Sequence, residues 1–520
     1  MKFLCSTVLK KEKTFLFLLF WMLCFWYSLS RGVDVNWDLR NYHLYSVYAL
    51  FNNRMFVDVA PAHLQTWFNP FVQIFNYFIT IYLDPRIGAL ILSFFSALNV
   101  IIIYTLSREI INDNVNIYIN KYISLIAAIC AFYSPTFISL VGTTYSDNIN
   151  ALILLLILYI SIKYKFSLKS LIVSSILFGL LISFKLTNII FFFPFITAVL
   201  MQPNHRNIKS IFLIGLSSII GYIPFGATWN IYLYYVFGNP TFPLMNNVFH
   251  SPFYYNVSLV DKHFITHSLL EAINILPKQA LGEVAVTTER PFRDVRFLIL
   301  VVLTVCLAPL FFLKRTDNQR IFKTKPIIFL WIIFVISLLF WVKLYTIQRY
   351  IVALEQLAPL LIFTLLDKIG FTKFSKVASM SIISFLILLF VVPMDWDHLP
   401  INTKKWWKAD YPAELRQESV TYIFLEHEPM GYLVLSAPKN SVFIRIDGNL
   451  VEMENTGLGQ LAKDKINMSK GQIRTLTREK YNASFDNILK KYNLKYSSED
   501  CMQVKSGLES LYTCSLQKIK

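Results

Sequence analysis

Long apolar stretches separated by short polar turns run through most of the chain up to residue 394. A helix that crosses the hydrocarbon core of a bilayer needs ~20 mostly apolar residues. By this criterion the pattern predicts about eleven membrane spans, over residues 14–30, 71–106, 120–140, 148–162, 168–184, 188–201, 209–236, 295–313, 325–342, 349–366 and 375–394. Asp84-Pro85-Arg86 interrupts the second stretch, so residues 70–83 form either part of a broken span or a helix at the membrane interface.

After Pro393 the pattern changes to that of a small soluble domain. Residues 413–426 and 472–492 have the spacing of helices, whereas 432–436 and 441–446 resemble short strands. The fold class that we expect is therefore mainly α-helical. It comprises a polytopic membrane bundle over residues 1–394 and a small α+β domain over residues 395–520.

Composition supports a membrane protein. Only 16% of the residues are charged and 55% are apolar, whereas soluble domains carry ~25% charged residues. Mean hydropathy is +0.50. These values exclude an ordinary soluble enzyme, a disordered chain and a disulfide scaffold. The net charge of +17 would suggest a nucleic-acid partner in a soluble protein. In a membrane protein it is the expected excess of cations in cytoplasmic loops, so no nucleic-acid partner is predicted.

The cations alternate between successive turns, which predicts the orientation. Lys10, Lys11 and Lys13 precede the first span, whereas residues 141–147 contain no lysine or arginine. The positive-inside rule then places the N-terminus inside and the C-terminal domain outside. Two long outside loops follow, at residues 31–70 and 237–294, and long segments on one face usually carry function. Cys501 and Cys514 would lie on the oxidising side, where a disulfide between them is expected.

The first outside loop is rich in groups that can do chemistry. A carboxylate such as Asp34 or Asp38 at a membrane interface can act as general base toward a hydroxyl, and aromatic rings suit the face of a sugar. The same residues would also fit an interfacial helix with an aromatic belt and solvated charges. Further candidates in this loop are Asn41, Tyr42, His43 and Asp58.

Four other positions carry charges on the predicted outer side. Asp147 either caps the fourth helix or adds a second acid, and Lys185 either snorkels or binds a phosphate. Cations before a span that enters from outside oppose the topology rule, which makes Arg290 and Arg293 candidates for an anionic ligand, the alternative being contact with headgroups.

One acid lies inside a predicted span. Glu355 is placed ~9 Å deep at 1.5 Å per residue, and charges inside the membrane are costly enough to indicate function. Arg349 is a plausible partner for Glu355 or a ligand of a phosphate.

Several short motifs, taken in order, resemble the C-type (GT-C) integral-membrane glycosyltransferases. The likeness is to a bacterial branch related to the protein O-mannosyltransferases and aminoarabinose transferases, over about residues 10–395. The motifs are Asp38-x-x-Asn41-Tyr42-His43-Leu-Tyr45, Asp58-x-Ala-Pro61-Ala-x-x-Gln65-Thr-x-Phe-Asn69-Pro70, Gly142-Thr-Thr, Lys185-Leu-Thr187, Gly238-Asn239-Pro240-x-Phe242-Pro243 and Arg349-Tyr350.

The resemblance implies a glycosyltransferase of the bacterial inner membrane whose active site and C-terminal domain face the periplasm. The donor would be a polyprenyl-phosphate-linked sugar and the acceptor a hydroxyl of a glycan, lipid or protein. An Asp of the first loop would be the general base of an inverting transfer, with Asp38 favoured over Asp34. Lys185, Arg290, Arg293 and Arg349 would bind the donor phosphate, and no metal or other cofactor is predicted. The acceptor side would involve Asn41, Tyr42, His43, Asp58, Asp147 and Glu355.

Two other functions remain open from the sequence. A transporter or lipid-sugar flippase usually shows inverted repeats with broken helices, which this chain does not display. A polysaccharide polymerase or ligase would need a large outer loop with several arginines, which residues 237–294 provide in part. The absence of a P-loop and of paired glycine-rich nucleotide motifs argues against an ATP-driven pump.

Overall fold

The computed structural model describes residues 2–259, 261–308, 320–369, 372–448 and 453–519. Over these residues the protein is mainly helical. The α-helices are α1 (Lys2–Arg31), α2 (Leu44–Phe51), α3 (Ile74–Tyr82), α4 (Pro85–Ile110), α5 (Ile117–Phe132), α6 (Pro135–Ser139), α7 (Asp147–Lys163), α8 (Leu168–Phe184), α9 (Phe192–Leu200), α10 (Ile208–Tyr222), α11 (Thr228–Phe237), α12 (Asn246–Phe249), α13 (Leu269–Leu281), α14 (Arg296–Leu307), α15 (Thr324–Leu344), α16 (Val352–Leu366), α17 (Lys373–Phe390), α18 (Gly457–Met468) and α19 (Asp486–Lys491). The strands are β1 (Val33–Asp34), β2 (His398–Leu399), β3 (Ala409–Asp410), β4 (Val420–Phe424), β5 (Val442–Arg445), β6 (Gln472–Leu476), β7 (Leu494–Ser506) and β8 (Ser510–Lys518).

The chain divides into two compact units, each assembled from three separate segments. The helical unit contains Met1–Arg31, Ala89–Ala227 and Asp261–Trp396. The mixed unit contains Gly32–Gly88, Thr228–Val260 and Asp397–Lys520. The long loop after the first helix and the C-terminal region therefore belong to the same unit.

Six helices among the described residues are long and apolar enough to cross a membrane, which fits a membrane protein. They are Lys11–Arg31, Pro85–Ile110, Ile208–Phe237, Thr324–Leu344, Gln348–Leu366 and Lys373–Phe390. Most of the other predicted spans correspond to helices of 10–17 residues. Residues 309–313 of the predicted span 295–313 lie outside the described residues. The number of spans and their orientation remain predictions.

Prolines account for several breaks in the predicted spans. The stretch 71–106 is split before Pro85, where α4 begins, and 120–140 is split before Pro135, where α6 begins. In 209–236 a π-helical turn, Ile223–Ala227, contains Pro224 and joins α10 to α11. Proline lacks the N–H of a helical hydrogen bond and its ring clashes with the preceding turn, so it begins or interrupts a helix.

Helix α16 lies at the centre of the helical unit. In the most apolar stretch of Gln348–Leu366, which contains α16, 89% of the residues are buried. The corresponding share in Lys373–Phe390, which is α17, is 22%. Helix α16 packs against α5, α7, α14 and α17. Because protein surrounds α16, polar side chains on it can find partners, which they could not do in lipid.

The mixed unit is built on a six-stranded sheet with the order β3-β7-β8-β6-β4-β5. Strand β4 runs parallel to β5 and β6, whereas the β3–β7, β7–β8 and β6–β8 pairs are antiparallel. The predicted disulfide is present: Cys501 and Cys514 are opposite each other on β7 and β8 and are bonded. Strands β1 and β2 form a separate antiparallel pair.

Three of the predictions for the C-terminal region are wrong. Residues 413–426 are not a helix, since a short 3-10 turn is followed by β4, whose five residues are all buried and so lack the alternation of a half-exposed strand. Residues 472–492 divide into β6 and α19, since four of the five residues of β6 are buried and the strand also lacks that alternation. Residues 431–436 form a 3-10 turn rather than a strand. The predicted strand at 441–446 is confirmed as β5.

Candidate functional site

Two cations and one carboxylate meet in the helical unit. Asp147 is the first residue of α7, and its Oδ1 lies 2.7 Å from Lys185 Nζ. Its Oδ2 lies 3.5 Å from Nη1 of Arg349, in the 3-10 turn Gln348–Ile351 that leads into α16. Lys185 follows the last residue of α8 in extended conformation, which ends that helix. The positive end of the helix dipole favours a carboxylate at the start of α7.

Aromatic rings lie against the same cations. Lys185 Nζ is 4.2 Å from the centroid of the Tyr350 ring, and the guanidinium carbon of Arg349 is 4.1 Å from that of Tyr145. The Trp396 ring is 5.5 Å from Arg349 and 6.0 Å from Arg290. Cation–π contacts of this kind orient long charged side chains without neutralising them.

We name Lys185, Arg290, Arg349 and Asp147 the cation cluster. It carries three positive charges and one negative charge, a net charge of +2 on these four residues. The Asp147 side chain is 4% exposed, whereas Lys185 is 24% and Arg349 17% exposed. The cations therefore reach the surface while the carboxylate stays behind them. Guanidinium and ammonium groups arranged in this way suit a phosphate.

Arg293 does not join the cluster through any contact that the described residues show. Its backbone pairs with Val392, with both N···O distances 3.0 Å, and its side chain packs beside Gly282. Its predicted role as a phosphate ligand has no geometric support here.

A buried triad accounts for Glu355. Arg296 Nη2 donates to Asp294 Oδ2 at 2.8 Å and to Glu355 Oε1 at 2.7 Å, and all three side chains are fully buried. Glu355 Oε1 also accepts the backbone N–H of Thr136 at 2.8 Å. The expected pairing of Glu355 with Arg349 is therefore wrong, because Arg349 contacts Asp147 instead. The triad ties α14 to α16.

The two candidate bases of the first loop differ in their surroundings, within the mixed unit. Asp34 is buried in β1, and the Asn36 side-chain amide donates to its two carboxylate oxygens at 2.9 and 2.8 Å. The backbone N–H of Asn36 adds a third bond at 3.1 Å. Asp38 is half-buried and directly precedes the π-helical turn Leu39–His43. Asp38 is thus the more accessible carboxylate of the pair.

Asp58 attaches the first loop to the sheet. Its oxygens accept from Arg54 at 2.6 and 2.9 Å and from the backbone N–H of Phe443, in β5, at 2.9 Å. The Tyr45 hydroxyl donates to it at 3.1 Å. Burial raises the pKa of the Asp58 carboxyl, an effect that Arg54 opposes. These contacts describe a structural ion pair rather than an acceptor site.

The remaining first-loop candidates form a packed aromatic and polar layer. Asn41 and His43 are buried, and the Asn41 amide donates to Gln65. The half-buried Tyr42 contacts the rings of His43 and Phe68 edge-on, with centroids 4.5 and 5.5 Å apart. No group of three or more His, Cys, Asp or Glu that could hold a metal ion occurs among the described residues.

The roles of two residues in these sites were not predicted from the sequence. Trp396 follows the last predicted span by two residues, where a tryptophan is typical of the membrane interface, so its position alone does not indicate a site. Arg296 is one of several cations before a span, and nothing local distinguishes it from the others. The carboxylates that surround it are adjacent only in the folded chain.

Comparison with known proteins does not identify a family. No family model matches the chain, and no curated protein matches it. The resemblance to the GT-C glycosyltransferases stays a prediction from the sequence motifs. The functional proposal rests on that resemblance and on the residues described above.

Proposed function

We propose that this protein is a membrane glycosyltransferase that takes a sugar from a polyprenyl-phosphate-linked donor. The acceptor is a hydroxyl on the outer face of a bacterial plasma membrane. The observation that carries the proposal is the cation cluster, in which three cations and one buried carboxylate lie beside aromatic rings. A phosphate ester is an anionic ligand that guanidinium and ammonium groups bind through charge-assisted hydrogen bonds.

The transfer is a single displacement with inversion. The acceptor oxygen forms a bond to the anomeric carbon and gives its proton to a carboxylate. The bond from that carbon to the phosphate oxygen breaks, and its electron pair leaves with the polyprenyl phosphate. The leaving phosphate gains a negative charge, which Lys185, Arg290 and Arg349 stabilise. No nucleotide or metal takes part in these steps.

Asp38 is the general base in this proposal. It is more accessible than Asp34, whose oxygens already accept from Asn36. General-base catalysis by a positioned side chain contributes ~10²–10⁴-fold to the rate. Asp38→Asn should therefore remove nearly all transfer while the protein still accumulates in the membrane.

Mass spectrometry of envelope glycans and glycolipids tests the proposal whichever sugar is transferred. The strains to compare are the parent, a deletion, and the deletion complemented with a gene for the protein. The complementing gene encodes wild type, Asp38→Asn, Arg349→Met, or one of the matched controls Asp261→Asn and Arg206→Met. Both control positions are exposed. We expect one sugar to be missing from the deletion and from the two site variants, and present with wild type and controls.

Two results would contradict the proposal. One is full repair by both Asp38→Asn and Asp34→Asn at matched protein level. The other is transbilayer movement of a labelled lipid-linked sugar, catalysed by the purified protein in vesicles without any transfer. That second result would favour a flippase.

A further inference from the structure

Asp147 holds the central position of the cation cluster, but its geometry does not fit contact with an acceptor. Each of its carboxylate oxygens faces a cation: Oδ1 lies 2.7 Å from Lys185 Nζ and Oδ2 lies 3.5 Å from Arg349 Nη1. Its side chain is 4% exposed. A carboxylate that is buried and engaged on both oxygens is poorly placed to accept a proton or to bind a sugar hydroxyl.

We propose that Asp147 is a positioning residue whose carboxylate holds Lys185 and Arg349 side by side to bind a phosphate group. The ligand is the phosphate of a lipid-linked donor or of the lipid phosphate that leaves. The inference rests on the proposed function for this choice of ligand.

The two cations come from separate elements, which are also linked by the contact of Lys185 with the Tyr350 ring. Lys185 follows the end of α8, and Arg349 lies in the turn before α16. Both side chains are long, and each loses considerable rotamer freedom when it is fixed. Like charges in proximity also repel each other. Asp147 offsets both effects, because one rigid carboxylate at a helix start attracts both groups.

Each cation carries more than one N–H donor and remains partly exposed. An ammonium group carries three N–H donors and a guanidinium five. Both side chains remain partly exposed, and Tyr350 and Tyr145 fix their other faces. The carboxylate therefore acts from the buried side, and a phosphate can approach from the exposed side.

Two accounts of Asp147 predict effects of opposite sign for Asp147→Asn. If only total charge mattered, the change would raise the charge of the cluster from +2 to +3 and tighten phosphate binding. If Asp147 positions the cations, the change releases them and weakens binding, despite the greater positive charge. The sign of the effect therefore separates positioning from simple electrostatics.

The test measures binding of a ten-carbon isoprenyl phosphate and of inorganic phosphate to the full-length protein in nanodiscs. The uncharged ten-carbon isoprenol is the probe for binding through the lipid chain alone. We expect Asp147→Asn to weaken both phosphate probes by about tenfold or more, as when a charge-assisted contact no longer orients a ligand-binding group. Asp147→Glu should restore part of the affinity, and the exposed control Asp261→Asn should bind like wild type.

A double-mutant cycle with Lys185→Met excludes a merely structural role. If Asp147 acts through Lys185 and Arg349, its removal should cost much less once Lys185 is absent. A general loss of structure would instead add to the effect of Lys185→Met. Thermal unfolding of each variant in the same nanodiscs reports whether the helical unit is intact, and Asp147→Glu keeps the test valid if Asp147→Asn does not fold.

The outcomes separate this inference from the proposed function. Unchanged or tighter phosphate binding by folded Asp147→Asn overturns the positioning role alone. Failure of the wild type to bind either phosphate probe overturns both the positioning role and the phosphate part of the proposed function. Weakened binding by Asp147→Asn, together with normal envelope glycans in the deletion strain, supports the positioning role and overturns the proposed glycosyl transfer.

Discussion

At the scale of single residues, burial decides what a charged group can do. Arg296 is fully buried, and it serves two carboxylates that are themselves fully buried. Removing one partner of a buried ion pair leaves an uncompensated charge, whereas replacing all partners with neutral groups of similar shape is often tolerated. The triad therefore stabilises the helical unit only as a complete set.

Arg296→Met should destabilise the helical unit by ~3–5 kcal/mol, since Asp294 and Glu355 then face each other without a cation. Thermal unfolding in detergent, followed by helical circular dichroism, measures the change. The triple variant Arg296→Met, Asp294→Asn, Glu355→Gln is the matched control and should recover much of the loss. A stability for Arg296→Met equal to that of wild type would show that the triad contributes nothing.

At the scale of elements, the three strands β6, β7 and β8 share one buried cation. Arg474 of β6 is fully buried and contacts Asp500 Oδ2 at 2.6 Å and the Ser515 hydroxyl at 2.7 Å. Its Nη2 also donates to the carbonyl oxygens of Asp500 and Thr513 at 2.9 and 3.0 Å. Side-chain hydrogen bonds from Arg474 and Ser515 hold the pKa of Asp500 below its usual value.

This lowered pKa predicts an acid-sensitive sheet. A carboxyl whose pKa is lower in the folded state contributes stability above its unfolded pKa of ~3.9, and the contribution is lost as the pH falls through the lower folded value. We expect backbone amides of β7 and β8 to lose protection below about pH 4. Hydrogen exchange on the full-length protein, corrected for intrinsic rates, measures this.

The variant Asp500→Asn removes the titrating group. It should be less protected than wild type at pH 6 and should show a flatter dependence on pH toward pH 3. The exposed Glu414→Gln provides the control for loss of one carboxylate elsewhere in the unit. An unchanged pH dependence in Asp500→Asn would assign the acid sensitivity to another group.

At the scale of the whole molecule, the mixed unit unites segments that are far apart in the chain. Val59 of the first loop pairs with Ile444 of β5, with Val59 N–H to Phe443 O at 2.8 Å and Arg445 N–H to Val59 O at 2.9 Å. Arg54 also donates to the Ser441 carbonyl oxygen at 2.7 Å. The first loop and the C-terminal region therefore stabilise each other.

Truncation after Trp396 should consequently unfold the first loop as well. Without β5, Asp58 loses the Phe443 N–H and the backbone of Val59 loses both of its partners. Residues 32–88 should then become sensitive to protease in membranes. Limited proteolysis with mass spectrometry measures this. The turn Pro203–His205 of the helical unit, which has no buried residue, provides the internal control, since it should be cleaved equally in both forms. Full protection of residues 32–88 in the truncated protein would contradict the prediction.

The sequence by itself was enough to predict what depends on neighbouring residues along the chain. Apolar runs predicted the membrane helices, because a helix of ~20 apolar residues is a local requirement of the bilayer. Lys185 and Arg349 could be selected as candidate phosphate ligands, and in the structure both contact Asp147. Cys501 and Cys514 could be paired because the C-terminal region offers no other cysteine.

Only the tertiary structure decided which distant groups meet. Glu355 pairs with Arg296, 59 residues away, because α14 packs on α16, and no local pattern carries that information. Strands β4 and β6 escaped prediction because burial on both faces removes the alternation that identifies a strand. Asp147 has its two partners because the ends of three separate elements converge, and that convergence depends on packing rather than on spacing along the chain.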